Sequence, residues 1–202
     1  MSEVKTDKLS PRTGSGTVTL GTSGDTFSIP SGVTLSNSGT ASGFGKVLQV
    51  VQTVKTDTFS YTGATFADVT GLSVSITPSA TSSKILIFST INGAANLRYS
   101  GIRLVRDSTD IFIGDAAGTY RTRVTIPIDS NSDASYDNYL SRNMSFNYLD
   151  SPSTTSATTY KIQVAIAYSA SYTTYINTNA DDSDANFTLR SASNIIAMEI
   201  GA

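Results

Sequence analysis

The chain contains no cysteine, no histidine and no tryptophan. The lack of cysteine excludes disulfides, thiolate catalysis and cysteine-ligated metal sites. The lack of histidine excludes Ser-His-Asp and Cys-His nucleophilic systems, together with histidine-ligated metals. The common catalytic systems built on cysteine and histidine are therefore excluded, and the sequence predicts a protein without catalytic residues, cofactor or metal.

Charge is also scarce. Asp, Glu, Lys and Arg make up 15% of the residues and the formal net charge is −2, whereas about 25% of an average protein is charged. Nucleic-acid-binding proteins normally present a basic surface, so no nucleic-acid partner is expected. No apolar run approaches the roughly 18 residues of a membrane helix. Residues 1–12 are charged and lack the apolar stretch of a secretory signal.

Serine and threonine are abundant and form roughly three residues in ten, far above average usage. Together with Val, Ile and Tyr they favour strands over helices. After residue 45, short apolar or alternating runs recur between turn signals, as in β-sandwiches and barrels. The predicted strands cover residues 46–54, 56–63, 65–69, 72–76, 84–91, 102–106, 110–115, 120–128, 144–150, 160–168, 173–178, 186–190 and 194–200.

Three of these segments lead to more specific expectations. The run KILIFSTI (84–91) is almost continuously apolar, which predicts a central strand buried on both faces. Residues 102–106 and 110–115 flank the sequence DST and predict a hairpin with a short loop. Residues 137–143 are the best helix candidate, with two turns at most. Similar Ser/Thr/Pro loops at 78–82 and 152–156 precede Lys-Ile strands and favour a jelly-roll-like sandwich with two related halves.

Residues 14–45 differ in composition from the rest and hold eight of the 15 glycines. Apolar residues alternate with Ser or Thr in three short β-patterns, which a flexible Gly/Ser linker normally lacks. One copy buries too little apolar area to offset the entropy of ordering the segment. The segment is therefore either disordered or ordered by contacts outside itself, most plausibly with other chains. The side chains expected to make these contacts are Val18, Leu20, Phe27, Ile29, Val33 and Leu35.

The acidic residues offer weak candidates for chemistry. Asp181, Asp182 and Asp184 begin like a calcium loop, but Phe187 stands where that loop has glycine and Ser193 where it has glutamate. A solvated turn is the simpler interpretation, although the sequence leaves open whether a cation binds there. Glu199 lies within an alternating apolar strand, and we expect it on the outward face.

Tyrosines are the better candidates for recognition. Five of them lie in or beside loops rich in Ser, Asn and Asp, a combination that provides rigid contact area and adaptable hydrogen bonding. Packing in the core or between subunits is the alternative for each. The candidate receptor contacts are Tyr136, Tyr139, Tyr172 and Tyr175, with Tyr168 nearby.

The chain as a whole resembles virion structural proteins of tailed phages, especially short fibre or fibre-like proteins of marine and cyanobacterial phages. The similarity is carried by MSEVKTDKLSPRTG, TVTLGTSGDTFSIPSGVTL, FGKVLQVVQTVKTDTFS, SVSITPSATSSKILI, IRLVRDSTDIFIGD, YLDSPSTTSATTYKIQV and IIAMEI. It implies a homotrimer with an attachment segment, a β-rich shaft and a β-sandwich head. Similar chains also serve as capsid decoration proteins, and the family has no catalytic motif.

The composition and the strand pattern predict an all-β, non-enzymatic protein. The resemblance implies a virion protein that is made in the bacterial host cytoplasm and displayed on the virion surface. Residues 1–13 would attach it to other virion proteins of the tail or capsid. Residues 14–45 would form an extended arm or an intertwined trimeric stalk, and residues 46–202 a jelly-roll-like head that contacts a host-surface glycan. A capsid decoration (cement) protein is the first alternative. A free carbohydrate-binding or carbohydrate-active protein is the second.

Overall fold

In the part of the chain that the structure describes, all the strands lie after the glycine-rich segment. The computed structural model describes residues 17–34, 36, 38–39, 47–95, 100–116, 118–128, 141–167, 171–186 and 188–201. The chain divides into two units, Met1–Phe44 and Gly45–Ala202, and every strand of the described residues belongs to the second. No helix occurs in these ranges. The predicted all-β class is confirmed.

Eleven strands are formed by the described residues. They are β1 (Val47–Lys55), β2 (Phe59–Thr62), β3 (Ala67–Ile76), β4 (Lys84–Ala95), β5 (Ser100–Arg106), β6 (Thr109–Ile111), β7 (Ile126–Ile128), β8 (Arg142–Asp150), β9 (Thr158–Ile166), β10 (Thr173–Ile176) and β11 (Ser193–Ile200).

The strands form two antiparallel sheets. The large sheet has the order β1-β11-β4-β10-β2, with β8 also paired to β4. The small sheet has the order β3-β9-β5-β6, with β7 also paired to β5. The two sheets form a sandwich, and its description as a jelly roll stays a prediction.

The core lies between the inner faces of the two sheets. Successive side chains of a strand point to opposite faces, so every second residue can be buried. Isoleucine, valine and leucine dominate because β-branched and bulky apolar side chains pack well on a pleated surface. Fully buried examples are Ile85, Ile87 and Ile91 of β4, Ile102 and Leu104 of β5, Ile162 and Val164 of β9, and Ile195 and Ala197 of β11.

The hairpin prediction is confirmed. Arg106 of β5 pairs with Thr109 of β6, which leaves Asp107 and Ser108 as a two-residue turn. Asp107 has a φ of 52°, a left-handed conformation that aspartate tolerates better than most residues. Its carboxylate accepts a hydrogen bond from the backbone N–H of Thr159 at 2.9 Å, which ties the turn to β9.

Two predicted strands, 65–69 and 72–76, are joined in the single strand β3. The pairing of β3 with β9 shifts register between Asp68 and Ser73. Gly71 lies in this irregular stretch with a φ of 81°, a conformation that glycine adopts without steric cost. The gap between the two predicted strands is therefore an irregularity within one strand.

The prediction that residues 84–91 are buried on both faces is wrong. Along β4, buried residues alternate with half-buried or exposed ones, and Phe88 is 39% exposed. The small sheet covers only one face of the large sheet. Among the described residues, none covers the other face of β4 sufficiently to bury it.

Three further expectations differ from the structure. The strand predicted over 120–128 is limited to β7. Residues 186 and 188–190 form no strand, although a strand was predicted over 186–190. The helix candidate 137–143 overlaps β8, which already includes Arg142 and Asn143; its earlier part lies outside the described residues. Short polar segments carry weak periodicity, so pairing partners decide their conformation.

Candidate functional site

The apolar side chains of the N-terminal arm are exposed. Phe27 is 66% exposed, Leu20 and Val33 are 59%, Val18 is 41% and Ile29 is 38%. Leu35 lies outside the described residues. Residues 17–34, 36 and 38–39 form no strand, so the three β-patterns have no pairing partner within the described part of this single chain.

Local turns give the arm its shape. The backbone N–H of Asp25 donates to the carbonyl of Thr22 at 3.0 Å. The Asp25 carboxylate in turn accepts from the backbone N–H of Thr22 at 2.6 Å, and this hydrogen bond lowers the pKa of Asp25 below its usual value. A second turn joins the N–H of Val33 to the carbonyl of Pro30 at 3.2 Å. These turns satisfy polar groups but bury no apolar side chain.

The outer face of the large sheet is the second exposed apolar surface. Directly paired residues of antiparallel strands point to the same face, so the register defines rows across β1, β11, β4 and β8. One row is Val50, Met198, Leu86 and Leu149, and the next is Gln52, Ile196, Phe88 and Asn147. We call the apolar face the surface formed by Leu48, Val50, Val54, Leu86, Phe88, Leu149, Ile196 and Met198.

The apolar face reaches the size of the largest apolar patches found on monomeric proteins, which are often functional. Val50 and Val54 are 54% exposed, Leu149 is 53% and Leu48 is 46%. With the half-buried side chains between them, the face presents on the order of 500 Å² of apolar area, near the upper end for monomers. Neither of its two central rows contains a charged residue.

The outer face of the small sheet has the opposite character. Asp68 accepts hydrogen bonds from Lys161 at 2.8 Å and from Gln163 at 2.5 Å. Arg103 donates to Gln163 at 2.8 Å and to Asp110 at 2.5 Å. The sandwich therefore has one charged, hydrated outer face and one apolar outer face.

The tyrosines predicted to contact a receptor are placed only in part. Tyr136, Tyr139 and Tyr168 lie outside the described residues. Tyr172 directly precedes β10 and is half-buried. Tyr175 is half-buried within β10, where it pairs with Ser60 and Ala94.

A more exposed tyrosine was missed. Tyr120 is 97% exposed and lies beside Arg121, in a stretch that the sequence predicted to be a strand. No local sequence signal distinguishes this ring from the tyrosines that pack on sheets. Residues 118–124 belong to no strand, and the ring lies at the surface.

The aspartates of the predicted calcium-like loop have protein partners. Asp182 forms an ion pair with Arg190 at 2.7 Å and accepts a hydrogen bond from Thr178. Asp181 accepts one from Ser183 at 2.9 Å. In the part of the chain that the structure describes, no three acidic side chains are grouped in a way that could hold a metal ion. These contacts fit a hydrogen-bonded surface turn.

The prediction for Glu199 is wrong. It is 1% exposed and lies on the same face of β11 as Ile195 and Ala197. Its carboxylate accepts hydrogen bonds from Gln49 at 2.7 Å and from the backbone and hydroxyl of Ser79 at 2.7 and 2.6 Å. Burial alone would raise its pKa, but these donors outweigh burial and lower the pKa to about 2. The charge is therefore kept inside the sandwich by neutral donors.

Comparisons with known proteins do not identify a family, since no protein-family model and no curated protein matches the chain. The described residues contain no helix that could cross a lipid bilayer.

Proposed function

We propose that this protein is a non-enzymatic structural protein of a tailed phage, a homotrimeric fibre-like component with a β-sandwich head. The observation that supports the proposal is the presence of two separate apolar surfaces without cover, the arm and the apolar face. Exposure of each surface to water is unfavourable in free energy, and association with further copies of the chain would remove this cost.

The areas favour an interface that uses both surfaces. A stable interface buries about 800 Å² on each partner, more than the apolar face offers. The five exposed apolar side chains of the arm supply further area that a second copy can cover. The choice of three copies comes from the resemblance to phage fibre proteins.

The buried acidic residues support a structural role. Glu199 has a pKa of about 2, so it stays ionised at neutral pH and is unsuited to donate a proton as a general acid. Asp150 is held by Arg106 at 2.8 Å. Both carboxylates stabilise the sandwich. Both are buried, so a substrate in solution has no direct access to them.

Attachment through residues 1–13 and display on the virion surface complete the proposal. Deletion of residues 1–13 should leave the trimer intact and remove the protein from virions. Normal incorporation of the truncated protein would place the attachment site elsewhere. A capsid decoration protein is the alternative role, and it would be present in many more copies per particle than a fibre.

Sedimentation of the purified protein tests self-association, with a trimer as the expected species. The double variant Val50→Asp, Phe88→Asp places two charges on the apolar face and should shift the protein towards monomer. The control Ser73→Asp adds a charge to the outer face of the small sheet and should leave the trimer unchanged. A wild-type protein that stays monomeric at high concentration would refute the homotrimer.

The proposed receptor contact is a host-surface glycan. The sequence-based candidates are tested by adsorption of virions that carry Tyr139→Ala and Tyr172→Ala. Unchanged adsorption with a folded head would remove these tyrosines from the receptor site. Glycan binding without any association with virions would instead favour a free carbohydrate-binding protein.

A further inference from the structure

A groove of about 400 Å³ lies over the outer side of the small sheet, within the size range of ligand sites. Gly101 of β5 and Ala165 of β9 pair directly and form part of its floor. They alternate with the buried Ile102 and Val164, so their Cβ positions point away from the core. Both residues are nonetheless buried, because other lining residues of the groove pack over this part of its floor.

One wall of the groove is fixed by close packing on Gly101. A Cβ atom at this position would lie 2.3 Å from Cγ1 of Val124, which no real contact allows. The following residue, Thr125, donates its backbone N–H to the carbonyl of Ile102 at 2.8 Å and accepts from the N–H of Leu104 at 2.9 Å. The wall is therefore anchored to β5.

Tyr120 and Arg121 form the rim of the groove. Tyr120 is 97% exposed, and its ring forgoes the large burial that aromatic side chains normally contribute. The same two residues also line an adjoining hollow of about 350 Å³. Tyr120 and Arg121 thus lie between two concave surfaces. A ligand longer than a single ring could therefore contact both surfaces.

The guanidinium of Arg121 is available to a ligand. Arg103, Arg106 and Arg190 all have acidic partners. Within the described ranges, no hydrogen bond or ion pair engages the side chain of Arg121. A guanidinium presents a planar set of donors that matches a carboxylate in a bidentate manner.

We propose that this groove binds an acidic sugar. The face of the Tyr120 ring packs on the C–H face of a sugar ring, while Arg121 pairs with the sugar carboxylate and Thr122 offers a hydroxyl to its neighbours. Acidic peptide motifs are normally recognised by clusters of arginines, whereas Arg121 is the one arginine among the described lining residues of this groove. The inference rests on the proposed function. It assigns the receptor contact of that function to Tyr120 and Arg121.

A matched pair of probes tests the site, namely an oligosaccharide of glucuronic acid and the same oligosaccharide after reduction of its carboxyl groups. By calorimetry or saturation-transfer NMR, the wild-type protein should bind the acidic form at least tenfold more tightly. Arg121→Gln should remove this preference. Tyr120→Ala should abolish binding of both forms, and Tyr120→Phe should retain it because the ring face is kept. Leu189→Ala, at an exposed position outside the groove, is the control.

Three results would overturn the assignment. They are no binding of the acidic oligosaccharide by the wild type, unchanged binding by both Tyr120→Ala and Arg121→Gln, and equally tight binding of polyglutamate, which would indicate an acidic protein segment. Sedimentation of the same samples separates the two proposals. A trimer without sugar binding refutes only the groove, whereas a monomer with the expected residue dependence refutes only the trimer.

Discussion

Arg106 donates from Nη1 to both carboxylate oxygens of Asp150, at 2.9 Å to Oδ1 and 2.8 Å to Oδ2. Arg106 ends β5 of the small sheet and Asp150 ends β8 of the large sheet, so the pair joins the two layers. Tyr160 also donates to Asp150, at 2.7 Å. At the other end of β5, Ser100 shares a hydrogen bond with Thr174 of the large sheet. Polar contacts thus fix β5 to the opposite sheet at both ends.

Asp150→Asn should lower the free energy of unfolding by about 2–4 kcal/mol, because it leaves the partly buried Arg106 without a counter-charge. Urea unfolding measures the change. The control is Asp68→Asn, which breaks the ion pair with Lys161; Asp68 is 52% exposed, so the expected cost is below about 1 kcal/mol. Equal losses of unfolding free energy in the two variants would show that the inter-sheet ion pair contributes no more to stability than the exposed one.

Glu199 makes stability depend on acid pH. Its pKa of about 2 lies below the ordinary value of 4.5, so the folded state favours the ionised form. The resulting stabilisation is complete above the ordinary value and is lost as the pH falls through about 4.5 towards 2. The free energy of unfolding of the wild type should show this loss when it is measured from about pH 6 to about pH 2, a range that includes both pKa values.

Glu199→Gln provides the comparison for this pH effect, since its amide does not titrate. The variant should be less stable at neutral pH, and its stability should fall less steeply in acid. The difference between the two proteins should shrink by on the order of 3 kcal/mol as the pH falls. A constant difference across the range would contradict the low pKa of Glu199.

The arm should associate through its apolar side chains. The double variant Leu20→Asp, Ile29→Asp should weaken the trimer at least tenfold and leave the strand-containing unit folded. Analytical ultracentrifugation and circular dichroism measure the two effects. Thr19→Asp with Ser28→Asp adds the same charge at the alternate polar positions and should have a smaller effect. Equal effects of the two pairs would point to charge repulsion instead of apolar contact.

Gly101→Ala should displace Val124 and lower the free energy of unfolding by about 1–3 kcal/mol, the usual cost of overpacking. Because residues 120–124 line the groove, the same variant should weaken binding of the acidic oligosaccharide. Gly114→Ala is the matched control, since an added Cβ there meets no atom within 4 Å. Normal stability of Gly101→Ala would show that the segment moves freely away from β5.

Most strands were predictable because their alternation spans several residues and agrees with their burial, as in β3, β8 and β9. Glu199 was misplaced because β11 is apolar on both faces, so the pattern alone did not identify the inner one. Its partners Gln49 and Ser79 lie 150 and 120 residues away in the sequence. Local periodicity contains no information about such distant donors.

The exposed face of β4 was missed for a related reason. A strand that is apolar on both sides looks the same in sequence whether its second cover comes from the same chain or from another one. Phe88 and Leu86 therefore suggested a strand buried within one molecule. The exposure of Tyr120 was missed for the opposite reason. The valine and isoleucine residues that follow it resemble a longer strand, but the strand formed there is limited to β7.

The apolar face also has a consequence for how the folded state responds to dilution. If copies of the chain cover Val50, Phe88 and Leu149 for one another, folding and assembly become linked equilibria, and the melting temperature rises with protein concentration. A newly synthesised chain would then pass through its most aggregation-prone state after its sandwich has folded and before it meets its partners. The rate of encounter between folded copies, more than the rate of folding, would determine the yield of native protein.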